Sequence, residues 1–484
     1  MRLFRRAAAA TVLVAGLVGL PAAATATGST AAAGSGSPNL TPVAHVPLTG
    51  GPSAPGGGGS DIEFTTVDVT GLPGSGGATG VHTFALAGSL GRGLQIVDVT
   101  NPRRPSAPRV YDCRVSQGDV QVFRRGTRTL VIYAADYGVT LGSACYTQLT
   151  ALGVNVGNGL GSVIVDVTNP YRVKAVGFVK EPTGSHNTTI HPSGSFLYNS
   201  NSDFDSNGTI EVFDLRGARL RSPVKVRTIT LTGGSDSHDI TFNEAGTRAY
   251  SAALNHTVIL DTTDPENPSV IGRIVDPTIQ IHHQADPVTV TDPVLGTRTL
   301  LVVTDEVNGG GNAPCPGGGL HIYDVTGPRE TAPVKLGAWF ISAVTAADGR
   351  GCTSHVLRMH PDEGIMTIAW YRMGVRVLDI SGLGSVTQGQ TASPIEEIAY
   401  YVFDDANTWS AKTPSIAANG SFYLFGNDIA RGLDVFRFDP TAAQADDPGV
   451  WVPAAVGSAL PTAARSVTAQ PTGQRFTCVI PLDA

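Results

Sequence analysis

Residues Gly93–Pro102 read GLQIVDVTNP, and residues Gly161–Pro170 read GSVIVDVTNP. A run of Val, Ile and Leu that ends in an Asp and an Asn-Pro turn is typical of a buried strand followed by a tight turn. Related copies recur at spacings of 47 to 68 residues, with the motif aspartates Asp98, Asp166, Asp214, Asp261, Asp324 and Asp379. A seventh copy, GLDVFRFDP from Gly432, has Arg437 in place of the Asp. Such self-similarity predicts a repeat architecture.

Each repeat is predicted to contain four short strands. The first strand follows a His or its substitute, and a turn such as His191–Gly194 leads to the second strand. The motif is the third strand, and a more polar fourth strand follows the Pro. Four strands per repeat predict an all-β, seven-bladed β-propeller, with six or eight blades as alternatives. The segment IEFTTVDV at Ile62–Val69 is predicted to close the ring by joining the last blade.

The motif aspartates are predicted to have a structural role in the turns. An Asp side chain at the end of a strand can accept a hydrogen bond from the backbone N–H two residues further on. Six near-identical copies indicate that this role is repeated in each blade.

Composition and charge exclude some classes of partner. Only 15% of the residues are charged, and the formal net charge is −7. An acidic chain without a basic stripe is not expected to bind nucleic acid.

The chain ends and linkers predict an exported protein. Arg2, Arg5 and Arg6, the apolar run Ala7–Leu20 and the small residues Ala24–Ala26 predict a signal peptide over residues 1–26. We expect a Gly/Ala/Pro-rich flexible spacer at 27–60, the propeller at 61–440, and a C-terminal extension without assigned structure at 441–484. No later run approaches the ~20 apolar residues of a membrane span, so we expect a secreted protein. We also expect it to be a monomer.

Five cysteines suit an oxidising compartment. The preferred pairing is Cys113–Cys145 and Cys315–Cys352, which leaves Cys478 free. Sequence spacing alone does not fix this connectivity.

Histidines open several of the predicted blades. His186, His238 and His355 each precede a first strand, and the doublet at His282 and His283 leaves the register of a fourth open. Because first strands line the channel of a propeller, these imidazoles are predicted to converge near one end of the axis as ligands of a transition metal. Asp305 and Glu306 are possible additional ligands.

The blade-opening histidines equally suit two roles that involve no metal. Each His precedes a motif Asp by a similar interval, for example His186 before Asp214 and His238 before Asp261. This spacing suits a structural His–Asp hydrogen bond within each blade, as in WD-type propellers. A polar binding site without metal is the third possibility.

A weaker signal for calcium lies in DFDSNG, where Asp203, Asp205 and Asn207 match the start of a calcium-binding loop. The acidic residue at the twelfth position, Asp214, already belongs to the repeat motif.

From Ile62 to Asp439 the chain resembles the LVIVD-repeat propellers of secreted and surface-exposed prokaryotic proteins. The resemblance rests on the repeated motif, on Ser-His-Asn at His186, Ser-His-Asp at His238 and His-His-Gln at His282, and on YRMGVRVLDIS from Tyr371. It departs at Asp119, where the second unit would have a His, and at Arg437.

The resemblance implies a propeller, and we favour an extracellular module that binds a protein, a carbohydrate or a small molecule. The alternative is a secreted metalloprotein, an oxidoreductase or a hydrolase, with a His-lined metal at the axis.

Overall fold

The computed structural model describes residues 33–50, 57–136, 138–181, 183–204, 207–307, 315–342, 351–445 and 447–457. These residues form seven antiparallel sheets, the blades of a β-propeller, so the predicted all-β class and the count of seven blades are confirmed. A short helix, α1 (Ala144–Ala151), lies in blade 2. In these ranges no helix has both the length and the apolar character needed to cross a membrane.

Blades 1 to 4 are each built from four consecutive strands. Blade 1 contains β3 (Gly59–Asp68), β4 (Val81–Ser89), β5 (Leu94–Asp98) and β6 (Arg109–Tyr111). Blade 2 contains β7 (Val120–Arg125), β8 (Arg128–Ala135), β9 (Gly161–Asp166) and β10 (Lys174–Lys180). Blade 3 contains β11 (Asn187–Ile190), β12 (Phe196–Ser200), β13 (Asn207–Asp214) and β14 (Val224–Thr232). Blade 4 contains β15 (Asp239–Phe242), β16 (Arg248–Ala252), β17 (Thr257–Asp261) and β18 (Ser269–Ile274).

Blades 5 to 7 each include a strand from a distant part of the chain. Blade 5 contains β19 (His282–Asp292), β20 (Gly296–Asp305), β21 (Leu320–Asp324), β22 (Val334–Phe340) and the outer strand β30 (Val450–Pro453). Blade 6 contains β23 (Leu357–His360), β24 (Ile365–Ala369), β25 (Val375–Asp379), β26 (Glu396–Phe403) and the outer strand β1 (Gly34–Gly36). Blade 7 contains β27 (Thr408–Lys412), β28 (Phe422–Asp428), β29 (Gly432–Phe438) and the outer strand β2 (Leu40–Val46).

The ring is closed by β2, so two predictions are wrong. The segment Ile62–Val69 lies mostly in β3, the innermost strand of blade 1, and pairs with β4 rather than with blade 7. The strand that completes blade 7 lies within the predicted flexible spacer, where β2 pairs with β29 from Leu40 opposite Phe438 to Val46 opposite Leu433. Pairing with β29 and burial of Leu40 and Val46 compensate for a composition poor in strand-forming residues.

The chain beyond residue 440 also extends the propeller. The strand β30 pairs with β22, and the Trp451 side chain packs against the cluster shared by blades 5 and 6. The predicted boundary at residue 440 therefore falls too early.

Each interface between neighbouring blades contains its own hydrophobic cluster. In blade 2, Val163 and Val165 pack towards blade 1, whereas Ile164, between them, packs towards blade 3. Blade 7 closes on blade 1 in the same manner, with Phe425 and Val435 against Ala85 and Val97. The motif strand is therefore apolar on both faces, which explains its continuous hydrophobic run.

All six motif aspartates have the predicted role in the turn. Each carboxylate accepts a hydrogen bond from the backbone N–H two residues on, at 2.7–3.0 Å. In blade 7, Arg437 leaves this position without a carboxylate, and Asp439 accepts the N–H of Thr441 instead, at 3.0 Å.

The disulfides Cys113–Cys145 and Cys315–Cys352 are present, which confirms the preferred pairing. The predicted signal peptide and Cys478 lie outside the described residues.

The closing strand can be tested with two neighbouring substitutions in β2. Leu40 is fully buried, so Leu40→Ala is expected to lower the free energy of unfolding by about 2–5 kcal/mol through lost apolar contact and a residual cavity. Thr41 is exposed on the same strand, so Thr41→Ala is expected to change it by less than about 0.5 kcal/mol. Urea unfolding of both variants measures the difference. Equal stabilities would mean that residues 40–46 are not part of the folded unit.

Candidate functional site

Four histidines from blades 3 to 6 lie ring to ring around the propeller axis. The ring centroids are 4.2 Å apart for His186 and His238, 4.5 Å for His238 and His283, and 4.1 Å for His283 and His355. All four side chains are buried. The fourth member of the set is therefore His283, whereas the Nδ1 atom of His282 lies 2.8 Å from the Thr257 hydroxyl.

Blade 2 has no member in this row of rings. In blade 6, the residue after the blade-opening His355 is Val356, and its carbonyl accepts a hydrogen bond from the Ala369 N–H. In blade 2, the Asp119 carbonyl accepts the equivalent bond from the Ala134 N–H. Asp119 therefore corresponds to the residue after a blade-opening His. The His position is then taken by Gly118, where a Cβ atom would lie 2.6 Å from the Tyr133 hydroxyl oxygen. The interpretation of Asp119 as the substitute for a His is wrong by one position.

The Nδ1 atoms of the histidines have partners other than the motif aspartates. His186 Nδ1 lies 2.7 Å from a carboxylate oxygen of Asp136, which follows β8. His238 Nδ1 donates to the His283 carbonyl at 3.0 Å, and His355 Nδ1 donates to the Trp409 carbonyl at 2.6 Å.

The hypothesis of a His–Asp bond within each blade is therefore wrong. The histidines precede the first strands, whereas each motif Asp ends the third strand at the opposite end of the blade. Because the carbonyls fix the proton on Nδ1 of His238 and His355, the Nε2 atom of each ring carries a lone pair.

Glu306 brings a carboxylate to the row of histidines. It directly follows β20, and its Oε2 atom lies 3.7 Å from His283 Nε2. Its Oε1 atom lies 3.9 Å from His355 Nε2 and accepts a hydrogen bond of 2.6 Å from the Tyr371 hydroxyl. One ligand atom from each of His238, His283 and Glu306 lies within 4.8 Å of the others, so these three residues could hold a metal ion.

The other predicted metal ligands stand apart from this compact group. His186 lies beside His238, and His355 borders the group through Glu306. Asp305 accepts the backbone N–H groups of Gln280 and Ile281 at 2.9 and 3.0 Å.

Burial keeps the imidazoles of His238, His283 and His355 neutral. Burial first, and the neighbouring imidazoles second, lower the pKa values of His238 and His283 well below the ordinary value. Burial lowers the pKa of His355 to about 3, although its bond to the Trp409 carbonyl opposes the shift. Neutral imidazoles are the form that binds metal ions.

The histidines form the floor of an axial cavity of about 800 Å³. The first strands of the blades form its walls, and turn residues such as Pro192, Asn243 and Asp362 lie at its mouth. A cavity of this volume fits a small molecule.

One side of the wall carries compensated charges. Lys412 Nζ lies 2.7 Å from Asp61 and 3.0 Å from Glu63, and Arg358 forms a further ion pair with Glu63. Burial opposes ionisation of Glu63, but Arg358 and Lys412 outweigh it and lower the Glu63 pKa to about 2.

Blades 2 and 4 carry cavity-lining carboxyl groups without such partners. In the described ranges, no Lys or Arg lies within ion-pair distance of Asp119 or Asp239. Burial and then Asp286 raise the pKa of Asp239 to about 8, and burial followed by Asp61 and Asp239 raises that of Asp119 well above its ordinary value.

Sequence reasoning missed Asp136, Tyr371 and Trp409 as neighbours of the histidines. Tyr371 has φ of 42°, which is rare for an aromatic residue, and its ring centroid lies 4.5 Å from that of His355. The stretch YRMG that begins at Tyr371 contains the glycine of a turn and could have marked this position, whereas no local pattern marks Asp136.

The calcium prediction is not tested. The carbonyl of Asp203 accepts the Asp236 N–H at 3.0 Å, Asn207 begins β13, and Asp205 lies outside the described residues. Asp214 binds the Arg216 N–H.

The sequence matches no protein-family model and no curated protein. Solved structures similar to this chain include a candidate 6-phosphogluconolactonase from Bacteroides fragilis, with 12% identity, a TM-score of 0.42, and coverage of 71% of this chain and 98% of that one. Another candidate 6-phosphogluconolactonase, from Bacteroides uniformis, has 11% identity, a TM-score of 0.46, and coverage of 82% and 98%. A periplasmic gluconolactonase from Pseudomonas aeruginosa has 10% identity, a TM-score of 0.39, and coverage of 71% and 82%.

The charge network around Glu63 predicts a specific pH dependence of stability. Its native pKa of about 2 lies below the ordinary 4.5, so the carboxylate stabilises the fold above pH 4.5, and this contribution is lost as the pH falls towards 2. Glu63→Gln is expected to lower the free energy of unfolding at pH 7 by about 2–3 kcal/mol and to remove the corresponding part of the acid dependence.

Urea unfolding between pH 7 and the acid limit measures this effect. Glu244→Gln, at the exposed mouth of the same cavity, serves as the control and should follow the wild type. Parallel pH profiles for Glu63→Gln and the wild type would contradict the prediction.

Proposed function

We propose that the protein binds one divalent transition-metal ion through His238, His283 and Glu306, and that the axial cavity brings a small polar ligand to this ion. The observation that carries the proposal is the compact group of three buried ligand atoms within 4.8 Å of one another. His238 and His283 both line the floor of the cavity, which supports a functional rather than a purely structural ion.

The donor set fits this class of metal. Two imidazoles and one carboxylate suit zinc, iron or cobalt, and three protein ligands leave coordination positions for water or a ligand. The His283 carbonyl holds the His238 ring through Nδ1, and the Tyr371 hydroxyl holds Glu306. Such outer partners orient metal ligands and increase affinity.

A bound ion would supply Lewis-acid activation of a water or of a polar group on the ligand. The residues of the chain would position the ligand and limit the access of water. The cavity volume of about 800 Å³ favours a small molecule over a protein or a polysaccharide as the ligand.

Metal binding can be measured on protein stripped with a chelator and then dialysed against Co²⁺ or Zn²⁺. We expect about one ion per chain and, with Co²⁺, visible d–d absorption typical of mixed nitrogen and oxygen ligands. Glu306→Gln should weaken binding by more than the ~10–100-fold that loss of an outer partner causes. His238→Ala together with His283→Ala should abolish it.

Glu211→Gln is the matched control, because Glu211 is buried in blade 3 and bonds to Asn199 and Thr209 rather than to the histidines. Thermal unfolding shows which variants are folded. Unchanged metal affinity in folded Glu306→Gln and His238→Ala would refute the proposal and leave a metal-free binding cavity.

We also propose that the protein is exported. The two disulfides support an oxidising compartment, together with the signal-peptide pattern of residues 1–26. Intact mass of the exported protein is expected to correspond to a chain that begins at Thr27. A mature form that still begins at Met1 would contradict cleavage.

A further inference from the structure

The wall of the cavity from blade 2 to blade 4 carries two carboxyl groups that have no cationic partner among the described residues. Asp119 and Asp239 both line the cavity there. The cations that line the cavity form their ion pairs elsewhere: Lys412 and Arg358 with Asp61 and Glu63, and Arg248 with Glu330. Burying a carboxylate without a counter-charge is costly, so this part of the wall favours a positively charged occupant.

The same part of the wall presents hydrogen-bond acceptors without donors. Gln117 Oε1, Asp119 Oδ2 and Asn187 Oδ1 are buried, and none of the three has a hydrogen-bond partner within the described part of the chain. The Gln117 side chain is the strongest case, because the residue is only 4% exposed and still lines the cavity.

The hydrogen bonds of the Asn187 and Gln117 side chains show which atom of each amide has no partner among the described residues. Asn187 Nδ2 donates to Asp239 Oδ1 at 2.9 Å, so the oxygen of Asn187 is the remaining atom. Gln117 Nε2 lies 3.4 Å from His186 Nε2, and Asp136 binds the other nitrogen of that ring. The remaining amide oxygens are acceptors, and the Asp119 carboxylate is a third acceptor in its ionised form, so this part of the wall calls for a cationic donor.

A primary ammonium group supplies what this wall lacks, since it has one positive charge, three N–H donors and no acceptor. A neutral hydroxyl would donate only one hydrogen bond and would leave the charge unmatched. A bare metal ion needs several ligand atoms close together, and the compact group of this kind among the described residues is the one at His238, His283 and Glu306.

We propose that Gln117, Asp119, Asn187 and Asp239 form a subsite for the primary ammonium group of a small alkylamine. The ring of His186 lies beside the Gln117 side chain, and its centroid is 4.2 Å from that of His238. An amine held here would extend along the floor towards the metal ligands. That the bound amine also approaches the metal ion rests on the proposed function. The ammonium subsite itself does not require a metal.

Calorimetry with 1,4-diaminobutane on chelator-treated wild-type protein tests the subsite without a metal. We expect saturable binding of the diamine and no measurable binding of butane-1,4-diol, which has the same chain length without charge. Asp119→Asn keeps the shape and removes the charge, so the diamine should bind about tenfold more weakly or worse. Asp362→Asn removes an exposed carboxylate at the mouth of the cavity and should change the affinity by less than about twofold.

A second variant keeps the test decisive if Asp119→Asn does not fold. Gln117→Met removes the Oε1 acceptor with little change of shape and should also weaken diamine binding. Equal binding of the diol, equal affinities of the wild type and the folded variants, or displacement of the diamine by stoichiometric Ca²⁺ would each overturn the proposal. Because metal binding is measured separately, a loss of either property leaves the other one interpretable.

Discussion

Packing between blades is the constraint on which the rest of the structure depends. A blade is a small sheet with two apolar faces, and it cannot cover either face by itself. In the motif strand, successive residues such as Val163 and Ile164 pack against opposite neighbours. An open row of blades would leave two such faces in water, so the sheets must close into a ring. The pairing of β2 with β29 completes the seventh blade and thereby joins two segments that lie almost 400 residues apart.

Closure also determines the chemistry of the axis. The apolar side chains pack between neighbouring blades. The first strands surround a central channel that their backbones alone do not fill. Polar residues at the start of these strands therefore face one another. Burial of the imidazoles is tolerated because the Nδ1 atoms of His186, His238 and His355 bind a carboxylate or a carbonyl. Low pKa values keep His238, His283 and His355 uncharged.

The repeat predicted the blades and the positions of the histidines, but not what the histidines contact. The motif strands have a signal in every copy, and the turn bonds of their aspartates are local, so both follow from the sequence. The partner of His186 is Asp136, 50 residues away, and that of His355 is the carbonyl of Trp409, 54 residues away. Every residue has a backbone carbonyl, so a hydrogen bond to one cannot be predicted from residue type. The strand β2 lacks a signal for a related reason: its stability comes from β29, almost 400 residues away, and not from its own composition.

The candidate chemistry lies where the repeat loses its symmetry. Seven identical first strands would give a symmetric channel with no preferred side. Here Gly118 leaves blade 2 without an imidazole, and Trp409 packs edge-on against His355 at 4.8 Å in blade 7. Glu306 comes from blade 5 alone and adds its carboxylate to one part of the row. The acidic wall extends from blade 2 to blade 4, whereas the compact ligand group joins blades 4 and 5, and this difference gives the cavity a direction. A small molecule with two unlike ends can be oriented by such a cavity, whereas a symmetric ring would bind it in several equivalent ways.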